Sequence, residues 1–300
     1  MNHAWWEISV TGSPLLEDSL EWRSQALGCT GTAIENKGED CLIQTYIPQD
    51  QINWQQLSEF ANSIRQDAES LGLAKPIIQW HSIEEEDWAS NWKQHWQPTE
   101  VGDRLVIYPA WIEPPKDSKR IILRLDPGSA FGTGTHPTTQ LCLKALEHVF
   151  TNNPPGSDAS RAIADIGCGS GILSIAALLL GANQIYATDI DPLAVSATRH
   201  NLDINHLTES SIQIQQGSAE QLKPLMIEGV NGIVCNILAE VIIKLAAPIT
   251  QLAKSDTWGI FSGILTEQAD QVTETLEAQG WKSVTMQTQQ SWCCLRLNYP

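Results

Sequence analysis

Positive charge is scarce in this chain. Its 300 residues hold 18 Lys and Arg against 35 Asp and Glu, a formal net charge of −17 at pH 7. A surface of that sign repels a nucleic-acid backbone and favours encounter with basic proteins, so no direct nucleic-acid partner is expected. The deficit is uneven: residues 1–100 carry 5 bases and 16 acids, net −11, whereas residues 101–300 carry 13 and 19, net −6. Long apolar runs are also missing. None approaches the roughly 18 residues of a membrane span, and the opening MNHAWWEISV lacks the basic-then-apolar order of an export signal. A cytoplasmic protein with no membrane partner is the expectation. Seven cysteines (Cys29, Cys41, Cys142, Cys168, Cys235, Cys293, Cys294) include no C-x-x-C pair, so neither a zinc nor a redox site is expected. They read as reduced thiols, mostly buried. Two glycine-rich runs, DPGSAFGTGTHPTT (126–139) and ADIGCGSG (164–171), lack the Lys-Ser/Thr that a P-loop places after its last glycine. P-loop nucleotide hydrolysis is thereby excluded.

What is present divides into parts. At this length two domains are the natural expectation. Residues 1–85 alternate in the order β-α-β-β-α-β: strand-like AWWEISV, a helix over 13–28 with a Ser cap and an early Pro, two strands around KGED, a helix over 53–72, and a strand over 75–83. That order predicts a ferredoxin-like α+β domain, a binding module. In EEEDWASNWKQHWQP (84–98), Trp88, Trp92 and Trp96 are four residues apart, one face of a helix that Pro98 ends. Residues 86–118 are assigned to this Trp-rich joint. Strand-like DRLVIYPAWI (103–112) and KRIILRLD (119–126) lead from it into the first glycine run.

Residues 119–300 read as an α/β domain of the Rossmann-like, doubly wound kind. RAIADI is a buried strand, GCGSG a turn, ILSIAALLLGA a helix, and QIYATDID (184–191) a strand ending on acids. Gly167 and Gly169 let the backbone approach a ligand, and Asp189, 22 residues after Gly167, suits a ribose hydroxyl pair. A nicotinamide site wants G-x-G-x-x-G. Here the third glycine comes early, at Gly171, and Asp165 precedes the run, giving D-x-G-x-G-x-G. An acid there repels a pyrophosphate and welcomes an ammonium. S-adenosylmethionine has no phosphate, an ammonium and a ribose, and so satisfies both acids. Segments 211–222, 231–238 and 257–265 supply three more strands. Residues 281–299 leave no room for a crossover helix between their two strands, which must therefore pair antiparallel. Seven strands closing in that hairpin predict the class I methyltransferase sheet. Asn236 falls just past the fourth strand, where an amide can accept a hydrogen bond from a substrate nitrogen. Thr135 to Thr139 open a helix, with Phe131 and its neighbouring glycines as a covering segment.

The strings DPGSAFGTGTHPTT, IADIGCGSGILSIAAL, ATDIDPLAV and VCNILAEVI resemble the signature of the ribosomal protein L11 methyltransferases, the PrmA family, over about residues 100–297. The resemblance implies S-adenosylmethionine-dependent methylation of the N-terminal amine and lysines of that ribosomal stalk-base protein, a basic substrate recruited by the N-terminal domain. It places cofactor contacts at Thr139, Gly167, Asp189 and Asn236, with Phe131, His136, Thr138 and Asp165 close by. Asn236, His136 and Thr138 are the candidate catalytic residues, and Gly169 joins the cofactor set. His136 reads either as a proton relay or as a structural donor at a helix start. A methyltransferase acting on a different protein, a small molecule or RNA is the alternative.

Overall fold

The computed structural model describes residues 4–29, 32–37, 40–84, 96–126, 132–152, 161–226 and 228–300. The chain forms two compact units, Met1–Gln97 and Pro98–Pro300. Of the helix expected over 84–98, residues 85–95, with Trp88 and Trp92, lie outside the described residues, as does Phe131; Glu84 ends a strand, and Trp96, Gln97 and Pro98 are not helical.

In the first unit the elements are β1 (Ala4–Gly12), α1 (Glu17–Leu27), β2 (Thr32–Lys37), β3 (Asp40–Pro48), α2 (Trp54–Ser70) and β4 (Ile77–Glu84). The strands lie in the order β2-β3-β1-β4, and every adjacent pair is antiparallel. Local chemistry explains the helix ends. Ser13 accepts the Leu15 N–H ahead of a short 3-10 turn at Pro14, and Gly28 takes φ +88° beyond the end of α1. Asn53 closes a capping box with Gln56 at the start of α2. Alternate residues Ile8 and Val10 of β1 and Ile43 and Ile47 of β3 meet Leu16 and Leu20 from one helical segment and Leu57, Phe60 and Ile64 from the other. Arg23 binds both carboxylate oxygens of Asp67, at 2.5 and 2.7 Å, and so ties α1 to α2.

The second unit opens with a small sheet that sequence patterning did not separate from the rest. Strands β5 (Thr99–Val101), β6 (Leu105–Pro109) and β7 (Ile121–Leu125) form it in that order, with β6 and β7 parallel. Buried Glu147 of α3 (Pro137–Asn152) accepts the main-chain N–H groups of Asp103 and Arg104, so this sheet is anchored to α3. The seven-stranded sheet comprises β8 (Ala162–Ile166), β9 (Gln184–Asp189), β10 (Ile212–Gln216), β11 (Val230–Asn236), β12 (Ala253–Leu265), β13 (Lys282–Gln289) and β14 (Trp292–Tyr299). Its order is β10-β9-β8-β11-β12-β14-β13. Six strands run in one direction, and β14 alone runs opposite, inserted antiparallel between β12 and β13. The closing hairpin is the expected one. The strand read over 211–222 is shorter than expected: Gly217 turns at φ +141°, and Ala219–Leu222 forms the short helix α6.

Crossover helices α4 (Ile172–Leu180), α5 (Pro192–Ile204), α7 (Ala239–Thr250) and α8 (Ala269–Ala278) complete the unit. The chain winds outward from β8 through β9 to β10, then returns to the other side of β8 as β11. That reversal opens a crevice at the carboxyl ends of β8 and β11, the place where open α/β sheets bind ligands.

Candidate active site

The turn after β8 includes two positions that tolerate no side chain. Gly167 has φ +76°, and a Cβ there would lie 2.3 Å from Ile237 Cγ2. Gly171 has φ +81°, and its Cβ would meet Thr198 Cγ2 at 2.7 Å. Both positions therefore require glycine, for backbone conformation and for close approach. The N–H groups of Gly167 and Cys168 both bind Thr188 C=O, at 2.8 and 3.0 Å, pinning the turn to the end of β9. Gly169 N–H then donates to Asp189 Oδ2 at 2.9 Å, and Asp191 N–H to Asp189 Oδ1 at 3.0 Å. Each Asp189 oxygen keeps a second lone pair.

Asp165, next to last in β8, is 1% exposed. Ser174 Oγ donates to its Oδ2 at 2.6 Å, while Oδ1 has no hydrogen-bond partner among the described residues. Burial pushes this carboxyl up to about 6, against the Ser174 hydrogen bond, with nearby Asp189 adding to the rise. An acid so placed is held short of a cation.

From the other side of the crevice comes Asn236, the last residue of β11. Its Nδ2 donates to Thr139 Oγ1 at 3.4 Å, and its Oδ1 has no partner among the described residues. Thr138 and Thr139, in the first turn of α3, are buried. His136 Nδ1 accepts the Thr138 N–H at 3.3 Å and lies 2.7 Å from Thr138 Oγ1. Since Nδ1 accepts, the proton of the neutral ring sits on Nε2. The ring packs edge-on against Trp292, with centroids 5.1 Å apart.

The two glycine runs are joined directly. Ser170 Oγ, in the turn, donates to Gly132 C=O in the first run at 2.7 Å. Asn201 of α5 donates to Ser170 C=O at 2.9 Å and to Asp126 C=O at 3.0 Å. Of the expected residues, Gly167, Gly169, Asp189 and Asp165 cluster at β8 and β9. Asn236 meets Thr139 across the crevice, and His136 pairs with Thr138. Sequence reasoning missed Ser170, Ser174, Asn201 and Trp292. Asn201 had a signal: with Thr198 it is a polar residue on the stripe of α5 that also buries Ala194, Val195 and Leu202.

The groups present fit S-adenosylmethionine. A turn whose glycines let the backbone approach closely, a buried carboxylate with one unpaired oxygen, and a strand-end acid with spare lone pairs suit an ammonium and a diol. Asp165–Gly171 offers no cationic side chain for a phosphate.

The sequence model of the family described as "Ribosomal protein L11 methyltransferase (PrmA)" matches residues 4–299. A ribosomal protein L11 methyltransferase from a Cyanothece species is 49% identical over 295 residues, spanning 98% of each chain. One from Synechococcus elongatus is 47% identical over 299 residues, spanning 98% of this chain and 97% of the relative. The crystal structure of a ribosomal protein L11 methylase from Lactobacillus delbrueckii subsp. bulgaricus is similar with a TM-score of 0.58 and 30% identity. That likeness covers 67% of this chain and 98% of that one.

Proposed function

The chain belongs to the ribosomal protein L11 methyltransferase family, and we propose that its crevice between β8 and β11 methylates amines of that protein, the N-terminal α-amine and lysine side chains. The enzyme is an S-adenosylmethionine-dependent methyltransferase acting on ribosomal protein L11. When bound, the cofactor supplies a sulfonium methyl for in-line displacement by a nitrogen lone pair.

The residues of this chain supply alignment rather than covalent chemistry. Gly167 to Gly171 leave room for the donor, Asp189 accepts from the ribose hydroxyls, and the open oxygen of Asp165 faces the ammonium. Asn236 carries the reading of the acceptor side. Its open Oδ1 takes an N–H of the incoming amine and turns the lone pair toward the methyl, while Thr139 fixes the amide. The amine must be neutral. An α-amine near pKa 7.8 is about one-third neutral at pH 7.5, whereas lysine near 10.4 must give up about 4 kcal/mol of protonation free energy at that pH. His136 does not serve as the base in its neutral form, because its lone pair is engaged by Thr138. We read His136 and Thr138 as groups that hold the start of α3, and hence Thr139, in place.

The first unit recruits the substrate. With residues 1–100 at net −11, a basic protein is drawn to the enzyme and held near the crevice. The test is to incubate the enzyme with tritiated donor and separated large-subunit proteins. One labelled band, ribosomal protein L11, is expected; label in another protein, in RNA or in none overturns the reading.

A further inference from the structure

Helix α5 begins three residues beyond Asp189 and carries Asn201, fully buried, with Asn205 one turn further at its C-cap. Each side chain pairs with the edge strand β7 as a peptide group would. Asn205 accepts the Arg124 N–H at 2.8 Å and donates to Arg124 C=O at 2.6 Å. Asn201 accepts the Asp126 N–H at 2.8 Å and donates to Asp126 C=O at 3.0 Å. A helical turn rises about 5.4 Å and two strand residues span about 6.7 Å. Amides four residues apart on the helix therefore meet alternate residues of the strand. This ladder closes an edge that would otherwise leave main-chain groups unpaired.

Asn201 does more than Asn205. Its Nδ2 also donates to Ser170 C=O at 2.9 Å, inside the glycine turn, and Ser170 Oγ donates onward to Gly132 C=O at 2.7 Å. Ser170 is fully buried. Asp126 and Gly132, on either side of the first glycine run's opening half, are thus both referred to the same turn. From Gly132 the chain runs on to Thr139, which meets Asn236.

We propose that Asn201, acting through Ser170, is a positioning residue for methyl transfer: it sets the spacing between the donor-binding turn and the run that ends at Thr139. The proposal rests on the reading of Gly167–Gly171 as the donor site. Asn205 pairs with the same strand without reaching the turn and only closes the edge.

The test uses the full-length Asn201→Ala, Ser170→Ala and Asn205→Ala variants and the Asn201→Ala/Ser170→Ala double variant. Calorimetry measures S-adenosylhomocysteine affinity, and single-turnover methylation of ribosomal protein L11 is measured at saturating donor. Asn201→Ala and Ser170→Ala are each expected to lose about tenfold in rate, with weakened affinity, because small misplacements are costly in such a transfer. The double variant loses no more than the worse single one. Asn205→Ala melts at lower temperature with rate and affinity intact. Parental rate and affinity in Ser170→Ala overturn the proposal, as do multiplicative losses in the double variant or an equal loss in Asn205→Ala. Should Asn201→Ala fail to fold, Ser170→Ala decides alone, since it leaves β7 paired. Failure of the parental chain to bind S-adenosylhomocysteine would instead remove the donor-site reading, and this inference with it.

Discussion

The two units differ in how closely they keep the local rules of folding. In Met1–Gln97 the helices open on Ser13 and Asn53 with their capping partners, and α1 is followed by Gly28 in open space. In Pro98–Pro300 the residues His206, Asp256 and Gln290 take positive φ and Pro248 sits inside α7, but departures are densest at the crevice. Three glycines within five residues take positive φ, a buried acid keeps one oxygen unpaired, and a buried amide does the same. Sequences that agree at every level specify a fold, and departures collect where a ligand completes the structure. The first unit accordingly discloses an architecture and a charge; the second discloses a chemistry.

Matched substitutions sharpen the contrast, beginning with glycine. Gly167→Ala puts a methyl 2.3 Å from Ile237 at φ +76°, a cost of about 2–4 kcal/mol from strain and overpacking together. Calorimetry should find donor binding abolished. Gly28→Ala also sits at positive φ, +88°, but its nearest neighbour is 4.0 Å away. It should cost about 1–2 kcal/mol in denaturant melts and leave donor affinity unchanged. Equal losses of affinity in the two variants would break the contrast.

Asn236→Ala comes next. Removing the acceptor that aims the amine should lower the single-turnover rate by roughly 100-fold, with donor affinity nearly retained. A parental rate would make Asn236 a structural cap.

How much of this was legible beforehand follows the range of the interactions. The seven strands, the antiparallel hairpin and the turn at Gly167 were readable because burial runs, glycine spacing and a short connection are local features. Asp189 and Asn236 were readable as the residues ending two of those strands. The small sheet of β5, β6 and β7 was not, because nothing local distinguishes its strands from those of the larger sheet. The Asn201 link was hidden for a related reason: its partners in Asp126 lie 75 residues away in sequence. Trp292 against His136 is likewise a contact between distant segments. Residues 85–95 of the expected helix and the role of Phe131 fall outside the described residues.

Asp165 gives a smaller effect whose sign is fixed. Its folded pKa is raised from 3.8 to about 6. The unfolded chain therefore gives up this proton at lower pH, and stability falls as pH rises from about 4 to 6 and stays reduced above that. Asp165→Asn should raise the melting temperature of the unliganded chain by a few degrees at pH 7.5 while weakening donor binding. In the parental chain, donor affinity should fall as pH drops below about 6, since the ammonium needs the ionised acid; in Asp165→Asn that dependence should vanish. The same pH slope in both would dissociate Asp165 from the ligand. The smallest effect is expected in the first unit. Asn53→Ala removes the α2 cap at about 1 kcal/mol, visible in urea melts and absent from donor titrations.

The division of labour between the units is tested by comparing Pro98–Pro300 with the full chain. Donor affinity by calorimetry and kcat/KM for ribosomal protein L11 should be measured across a salt series. Equal donor affinity is expected, with a kcat/KM at least about tenfold lower for the shorter form at low salt, and a steep salt dependence in the full chain only. Equal kcat/KM and matching salt dependence in the two forms would contradict the assignment of recruitment to the acidic unit.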